Sequence, residues 1–516
     1  MEDHYYLYLC LALASLLVVI ANKRRRAAAH GLRLPPGPWQ LPVIGSMHHL
    51  AGQLPHRAMR DLARRYGPVM LLRIGEVPTV VLSSREAARE VMKTHDAAFA
   101  SRPLSATVRV LSNGGRNILS APYGEHWRQF RKIAITELLS ARRVLSFRAV
   151  RVEEVGTMLR ACAAAAAEAE AGGAGTVDMR ELLTALVADY TSRAAVGDRC
   201  KDRDTFLHEV ERGVELSAGF NMADLWPSSR LVGWLSGAVR RAQKSRDTVY
   251  GILDGIIKEH QEMMESGGSA GKAEDLVDVL LKIQRDGSLP IPLDMDVLKA
   301  VIFDILSAGS ETSSTVLLWV MAELIRNPKA MRRATAEVRS TFAAHGAVTE
   351  HALGELRYMH LVIRETFRLH APAPLLLPRE CQETCRVLGY DVPPGANVLV
   401  NVWALARDER YWPGGDAEEF RPERFEDGGE AAGVDFKGAD FEFLPFGAGR
   451  RICPGMSFGL IIVELALASL LFHFDWEAPG VADPTELDMT EVFGVTVRLK
   501  DSLLLRPIIR VPLPGL

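Results

Sequence analysis

Residues 443–455, FLPFGAGRRICPG, deliver a cysteine from a glycine-rich loop directly into a long apolar run at 456–471. The run predicts a helix, and the main-chain N–H groups at its start would point toward the Cys453 sulfur. The dipole of that helix also favours a thiolate there. Amide donors, neighbouring glycines and a nearby Arg451 for a carboxylate suit ligation of a haem iron. The alternative is a buried cysteine acting as a small hydrophobic side chain.

Residues 301–319 form a second informative stretch, apolar at both ends with a small polar centre at 307–315. Glycine inside a helix costs about 1 kcal/mol relative to alanine, so Gly309 weakens the helix locally. The Thr312 hydroxyl can bond the carbonyl four residues back and open the helix there. This predicts a groove for a diatomic ligand, with a proton route through Glu311 and Thr312. The alternative is that Gly309 ends one helix and Ser310 begins another.

A charged pair, Glu365 and Arg368, lies between these two stretches on an otherwise apolar segment. The spacing alone carries little information, because such pairs usually decorate exposed helix faces. The position of the pair, together with Arg424 in the sequence PERF at 422–425, predicts a buried ionic network.

The composition limits the classes of function that the chain can have. The chain has 516 residues, 48% of them hydrophobic and 24% charged, which is typical of a globular protein. A net charge of -3 provides no overall attraction for nucleic acid, so no nucleic-acid role is predicted. The six cysteines are expected to be reduced if the body faces the cytosol.

The N-terminus predicts a membrane anchor. Residues 5–21 are almost wholly apolar, acidic residues precede them and four basic residues follow at 23–26. The run is near the length that spans a bilayer, and the basic cluster places the remaining chain in the cytosol. We therefore predict a signal anchor with its basic stop over 1–26 and a stiff proline-rich hinge over 27–45. The alternative is a buried core helix.

The remaining residues, 46–516, predict one mainly α-helical domain with small β-sheets. Strand-like runs occur at 69–74 and 79–82, and helical spacing of apolar residues dominates 125–375. Flexible interruptions are predicted at 161–175, 266–271 and 428–433, but none is long enough to separate domains.

These motifs resemble the cytochrome P-450 superfamily of haem-thiolate monooxygenases, specifically the A-type family 71 of plant microsomal enzymes. The family pattern F-x-x-G-x-R-x-C-x-G is matched by Phe446, Gly449, Arg451, Cys453 and Gly455. The oxygen-activating pattern A-G-x-E-T is matched by Ala308, Gly309, Glu311 and Thr312, and the E-x-x-R pair by Glu365 and Arg368. The P-E-R-F motif lies at 422–425, the P-P-G-P hinge at 35–38, and the W-x-x-x-R pair at Trp127 and Arg131. The resemblance spans essentially the whole chain.

The resemblance implies haem b ligated by Cys453, with O2 activated beside Ala308, Gly309, Glu311 and Thr312. It also implies a set of residues that hold the haem propionates: Trp127, Arg131, Arg379 and Arg451. Electrons would come from a separate NADPH-cytochrome P-450 reductase on the basic proximal side, where Arg128 and Lys132 are candidate contacts or, alternatively, part of a solvated basic face. The implied location is the endoplasmic reticulum membrane, single-pass, with the catalytic domain cytosolic.

The resemblance implies a lipophilic substrate that partitions into the membrane. The expected substrate residues are Val110, Phe303, Leu306, Ala373, Leu375, Val495 and Thr496. In overall pattern the chain is similar to grass enzymes that oxidise terpenoid olefins, diterpenes or sesquiterpenes, in defence metabolism. Three alternatives stay open: a monooxygenase of indole or phenolic precursors, a haem-thiolate isomerase or dehydratase, and a non-enzymatic haem sensor or lipid-binding protein.

Overall fold

Helices dominate the computed structural model, which describes residues 31–197, 202–217, 220–266 and 274–513. The predicted anchor over 1–26 lies outside the described residues. The α-helices are α1 (Pro55–Tyr66), α2 (Arg85–Arg89), α3 (Ala106–Leu111), α4 (Glu125–Ile133), α5 (Ala141–Ser146), α6 (Arg148–Glu170), α7 (Met179–Val196), α8 (Arg203–Ser217), α9 (Met222–Leu225), α10 (Arg230–Ser236), α11 (Ala238–Glu265), α12 (Leu276–Asp286), α13 (Met295–Arg326), α14 (Pro328–Phe342), α15 (Arg357–Leu369), α16 (Val402–Leu405) and α17 (Met456–His473).

Small sheets flank the helices. The strands are β1 (Val69–Ile74), β2 (Val77–Leu82), β3 (Val177–Asp178), β4 (Arg379–Glu380), β5 (Cys385–Val387), β6 (Tyr390–Val392), β7 (Asn397–Val400), β8 (Phe474–Glu477), β9 (Glu491–Val492), β10 (Arg498–Leu499) and β11 (Leu504–Ile509). The largest sheet has the order β1-β2-β7-β4, with β2 and β7 parallel. The mainly helical fold with small sheets is confirmed, and the strand predicted at 79–82 begins two residues earlier.

The central helix, α13, runs unbroken for 32 residues. The Asp294 carboxylate caps its start by accepting a hydrogen bond from the N–H of Val297 at 2.9 Å. Helices α7, α15 and α17 pack around it, and most of its residues are buried. Because α13 continues through Gly309 and Ser310, the alternative of two helices meeting there is wrong.

The flexible interruption predicted at 161–175 is largely wrong, because α6 continues to Glu170. Alanine dominates this segment and is the strongest helix former, so the absence of large side chains does not weaken the helix. The chain turns only at the glycines that follow, where Gly172 and Gly175 have positive φ.

The proline-rich stretch lies against the body. The N–H of Leu71 in β1 donates to the Pro36 carbonyl at 2.8 Å. A Cβ on Gly37 would lie 2.0 Å from the Leu71 carbonyl oxygen, so only glycine allows this close approach. Residues 36–38 are therefore packed against the first sheet.

Among the described helices, α17 alone is long and apolar enough to cross a membrane. It is mostly buried and packs against α13 and α14, which is typical of a core helix. Its role in this fold is to carry the cysteine loop at its N-terminus.

Candidate active site

The cysteine loop presents Cys453 at the start of α17. The N–H of Cys453 donates to the Phe446 carbonyl at 2.9 Å, which closes the loop. Gly449 has a φ of +68°, and a Cβ there would lie 2.2 Å from the Met92 carbonyl oxygen, so this glycine is required by close packing of the chain. Gly455 is the glycine beside the sulfur, since its Cβ position lies 4.0 Å from Cys453 Sγ.

Cys453 is exposed, whereas the other described cysteines are buried. Protein nonetheless encloses its side chain on most sides. This burial raises the pKa of the Cys453 thiol, while the Gly455 N–H and the Arg131 charge lower it. The net shift is upward, so amide donors alone do not secure the thiolate expected from the sequence. A metal cation at the sulfur favours that ionised form.

Four arginine side chains converge beside the cysteine loop: Arg102, Arg131, Arg379 and Arg451. Main-chain carbonyl groups accept most of their hydrogen bonds. Arg451 Nε donates to Ala100 at 2.6 Å, and Arg379 Nη2 donates to Ala448 at 2.8 Å. In the part of the chain that the structure describes, Asp96 is the carboxylate paired with this cluster, 2.9 Å from Arg379 Nη1. The cluster therefore carries excess positive charge.

The excess charge perturbs the arginines themselves. Burial, together with the charges of Arg379 and Arg131, lowers the pKa of Arg451 to about 9. Burial and the other three arginines lower the pKa of Arg102 well below its usual range. A ligand bearing two carboxylates would relieve this repulsion. Haem b carries two propionates and an iron suited to a thiolate, so the arginines and Cys453 fit that cofactor.

Trp127 orders the cluster. Its indole Nε1 donates to the Ile118 carbonyl at 3.1 Å, and its ring centroid lies 4.4 Å from the Arg451 guanidinium carbon. Arg131 lies 5.9 Å from the same ring and donates to the Ile452 carbonyl. The structure thus brings together the four predicted propionate residues. Phe446, within the loop, packs against Phe367, with ring centroids 5.0 Å apart.

The polar centre of α13 makes the back-bond predicted from the sequence, but the helix is not opened there and continues without a break. Thr312 Oγ1 donates to the Ala308 carbonyl at 2.8 Å. Ala308 is exposed and Thr312 half-buried within an otherwise buried helix, so this face is open to a small molecule. Gly309 faces α7, where a Cβ would lie 2.8 Å from Thr191 Cγ2. The glycine thus allows two helices to approach closely.

Glu311 is hydrogen-bonded to the segment that joins β9 to β10. Its carboxylate accepts a hydrogen bond from the Thr496 hydroxyl, and Arg498 nearby pairs with the half-exposed Glu211 at 2.7 Å. Burial raises the pKa of Glu311 more than Thr496 and Arg498 lower it. A carboxyl group with a raised pKa, linked to the surface by charged groups, suits proton transfer. Thr496, which is expected to contact substrate, is a hydrogen-bond partner of Glu311.

The predicted ionic network is fully buried. Arg368 donates from Nε and Nη2 to the two Glu365 oxygens, both at 2.8 Å, and Arg424 Nε donates to Glu365 at 3.0 Å. Arg424 also pairs with Asp416 and Glu430. Each cation here has a carboxylate partner, which is the arrangement that makes a buried charge tolerable.

A cavity of about 180 Å³ lies beside α13, bordered by the 112–120 loop and by strands β1, β2 and β7. Phe303 lines it, and so does Leu377. The other residues expected to contact substrate do not line this cavity: Val110, Leu306, Ala373, Leu375, Val495 and Thr496. Three of them, Val110, Leu306 and Leu375, pack in hydrophobic clusters.

Sequence reasoning missed two residues that the structure places at this site. Arg102 belongs to the arginine cluster, and Asp304 lines the cavity. Neither has a local signal, since Arg102 lies in an irregular segment and Asp304 is one acid in an apolar run. Only the three-dimensional arrangement brings them to the site.

Comparisons with known proteins agree with this geometry. The sequence model for cytochrome P-450 matches residues 35–503. Dolabradiene monooxygenase from Zea mays is 46% identical over 99% of both chains, and zealexin A1 synthase from the same species is 45% identical over 98% of both. Desmethyl-deoxy-podophyllotoxin synthase from Sinopodophyllum hexandrum is 48% identical over 92% of both.

Proposed function

Because this chain belongs to the cytochrome P-450 family and is a haem-thiolate monooxygenase, we propose that it hydroxylates a lipophilic plant terpenoid, a diterpene or sesquiterpene of defence metabolism. Bound haem b supplies the oxygen activation. Electrons come from NADPH through a separate reductase. The observation that carries the proposal is the open face at Ala308 and Thr312 on the helix that also lines the cavity.

Each residue of the site has a role that follows from its position. Cys453 would ligate the haem iron, and the four-arginine cluster would neutralise the propionates. Thr312 holds a hydroxyl on the open face of α13, four residues after Ala308. Glu311 accepts a hydrogen bond from the Thr496 hydroxyl and exchanges protons with the surface through the side where Arg498 pairs with Glu211.

The cavity favours an apolar substrate. Several of its polar side chains are bonded to protein groups: Ser112 Oγ donates to the Val108 carbonyl at 2.6 Å, and Ser307 Oγ donates to the Asp304 carbonyl at 3.2 Å. Asn117 Nδ2 donates to the Asp304 carboxylate at 2.7 Å. A ligand therefore meets mainly hydrocarbon surface, which suits an olefin.

Relatives named for dolabradiene and zealexin support a terpenoid substrate. A second candidate, oxidation of a phenolic precursor, is favoured by the relative named for a podophyllotoxin. The isomerase or dehydratase alternative is disfavoured because Glu311 and Thr312 keep positions suited to proton delivery.

We place the protein on the endoplasmic reticulum membrane through the anchor over 1–26. An exposed apolar patch supports contact of the body with lipid: Trp39, Val43, Leu231, Trp234 and Leu235 are each more than half exposed. The two parts of the patch are adjacent, since Trp226 Nε1 donates to the Val43 carbonyl at 3.1 Å. Basic residues on the outer face of α4, Arg128 and Lys132, are exposed and available to a reductase.

The direct test is mass spectrometry of products under isotopically labelled dioxygen. Microsomes carrying this chain and a plant reductase receive terpene olefins, indole and phenolic precursors. We expect a terpenoid product with one labelled oxygen. An unlabelled product would move the isomerase alternative to first place, and labelled products from only the phenolic pool would refute the terpenoid assignment.

The proposed proton role of Thr312 has a matched control in the same helix. Thr312→Ala should lower the fraction of consumed oxygen that appears in product several-fold, because the hydroxyl on the open face is lost. Ser310→Ala removes a hydroxyl with the same back-bond, from Ser310 Oγ to the Leu306 carbonyl at 2.6 Å, but on a buried face. Equal coupling in both variants would contradict the role of Thr312.

A further inference from the structure

Asp304 on α13 is a buried carboxylate that holds a loop. Oδ1 accepts a hydrogen bond from Asn117 Nδ2 at 2.7 Å, and Oδ2 accepts from the N–H groups of Ile118 and Leu119 at 2.7 and 2.9 Å. Within the described ranges, these neutral donors are its hydrogen-bond partners. Burial raises the pKa of Asp304 to about 7. A buried carboxylate without a cation is unfavourable for stability, so a role in holding this loop accounts for its presence.

The segment 117–119 faces two parts of the active site. The Ile118 carbonyl accepts hydrogen bonds from Trp127 Nε1 at 3.1 Å and from Arg451 Nη1 at 3.2 Å. Leu119, whose N–H is held by Asp304, lines the cavity and is 39% exposed. The same short segment therefore contacts the arginine cluster and the substrate space.

We infer that Asp304 is a positioning residue that sets the 117–119 segment, and with it both the cavity wall at Leu119 and the orientation of Trp127 and Arg451. The inference rests on the proposed function only for the chemistry of the substrate. It implies that a ligand pressing on Leu119 also changes the surroundings of the haem propionates.

Asp304→Asn tests this in the full-length haem protein. The amide has one acceptor oxygen, and its NH2 group would face an existing N–H donor, so at least one loop donor loses its partner. We expect hydrogen exchange of peptides covering 112–124 to become at least tenfold faster. The control is Asp294→Asn, which removes the ion pair from Asp294 to Arg116 in the same loop, while asparagine still caps α13.

Two further measurements report on the cavity and the haem. Spectral titration with 4-phenylimidazole should give at least fivefold weaker binding in Asp304→Asn, whereas imidazole, which lacks the phenyl ring, should change less than twofold. The haem reduction potential should shift in Asp304→Asn and stay constant in Asp294→Asn. A purely structural defect would weaken both ligands equally.

Unchanged exchange at 112–124 would overturn the inference. Faster exchange with unchanged 4-phenylimidazole affinity and potential would overturn it as well. If Asp304→Asn yields no folded haem protein, the same measurements are made on Asn117→Ala. This variant removes one hydrogen-bond donor to Asp304 and keeps the Asp304 carboxylate. None of these readouts needs turnover, so their failure is distinct from the absence of an oxygenated terpenoid in the wild type.

Discussion

Two buried arginine clusters in this protein use the same residue type for opposite purposes. Around Glu365, the guanidinium groups of Arg368 and Arg424 are fully buried and paired with carboxylates of the chain. Beside the cysteine loop, one carboxylate of the described chain, Asp96, pairs with the four arginines, through Arg379, and two of the arginines have strongly lowered pKa values. The first cluster is complete within the chain, and the second needs an anionic partner.

The difference teaches how to separate a structural network from a binding site in a sequence rich in arginine. Burial alone does not discriminate, since both clusters are largely buried. The balance of charge distinguishes the two clusters, because a surplus of cations in a low-dielectric site is stable only with a ligand to neutralise it. Three predictions test this distinction.

The largest effect is expected at the balanced cluster. Glu365→Gln leaves Arg368 and Arg424 without their shared counter-charge, so we expect the free energy of unfolding to fall by about 3 to 5 kcal/mol. Denaturant unfolding of the haem protein measures this. Glu125→Gln is the matched control, because Glu125 and Arg128 have the same i,i+3 spacing at 3.9 Å but are exposed, and the expected change is about 0.5 kcal/mol or less. Similar losses in both variants would contradict the prediction.

A third cluster extends the comparison to pH. Burial disfavours ionisation of Glu491, but the hydrogen bond from His56 and the charge of Arg57 lower its pKa to about 2. Burial also lowers the pKa of His56, so at neutral pH Arg57 carries the counter-charge. Because the carboxyl pKa is lower in the folded state, it stabilises the fold at pH values above the unfolded-state pKa near 4.5. This stabilisation is lost as the pH falls toward 2. We expect Glu491→Gln to be less stable at neutral pH by about 2 kcal/mol, discounted for the half-exposed Arg57.

The measurement is the difference in unfolding free energy between wild type and Glu491→Gln at several pH values. The difference should shrink below pH 4.5 and vanish near pH 2. A difference that stays constant through this range would show that the carboxylate charge is not responsible.

The smallest effect is expected at the unbalanced cluster beside the cysteine loop. There, the substitution should weaken haem binding without lowering the stability of the haem-free chain. Arg102→Met removes one of four cations, so haem should dissociate about tenfold faster, which corresponds to about 1.4 kcal/mol. The stability of the haem-free chain should not fall, because repulsion within the cluster decreases. Haem transfer to apomyoglobin measures the first quantity, and urea unfolding of the apoprotein measures the second. Unchanged haem dissociation would place Arg102 outside the cofactor site.

The sequence predicted what is encoded locally. The cysteine loop, the polar centre of α13 and the strand at 69–74 lie where short-range patterns indicate. The Glu365 network was predicted as well, because its arginine partners stand in recognisable motifs.

Other features depend on contacts between distant segments. Asp304 holds residues 185 to 187 positions earlier in the chain, and Thr496 bonds Glu311 across 185 positions. No spacing rule reports such contacts. The Cys453 pKa depends likewise on enclosure by the folded chain, which the helix dipole argument does not include.

The close approach of α7 and α13 makes positions 191 and 309 a single unit for protein engineering. A methyl group at 309 meets Thr191 Cγ2 at 2.8 Å, whereas Thr191 Cβ lies at 3.6 Å, an ordinary contact distance. Gly309→Ala alone would therefore push the helices apart, while Gly309→Ala combined with Thr191→Ala fits the same space. Libraries that vary either codon separately will discard changes that the pair accepts together.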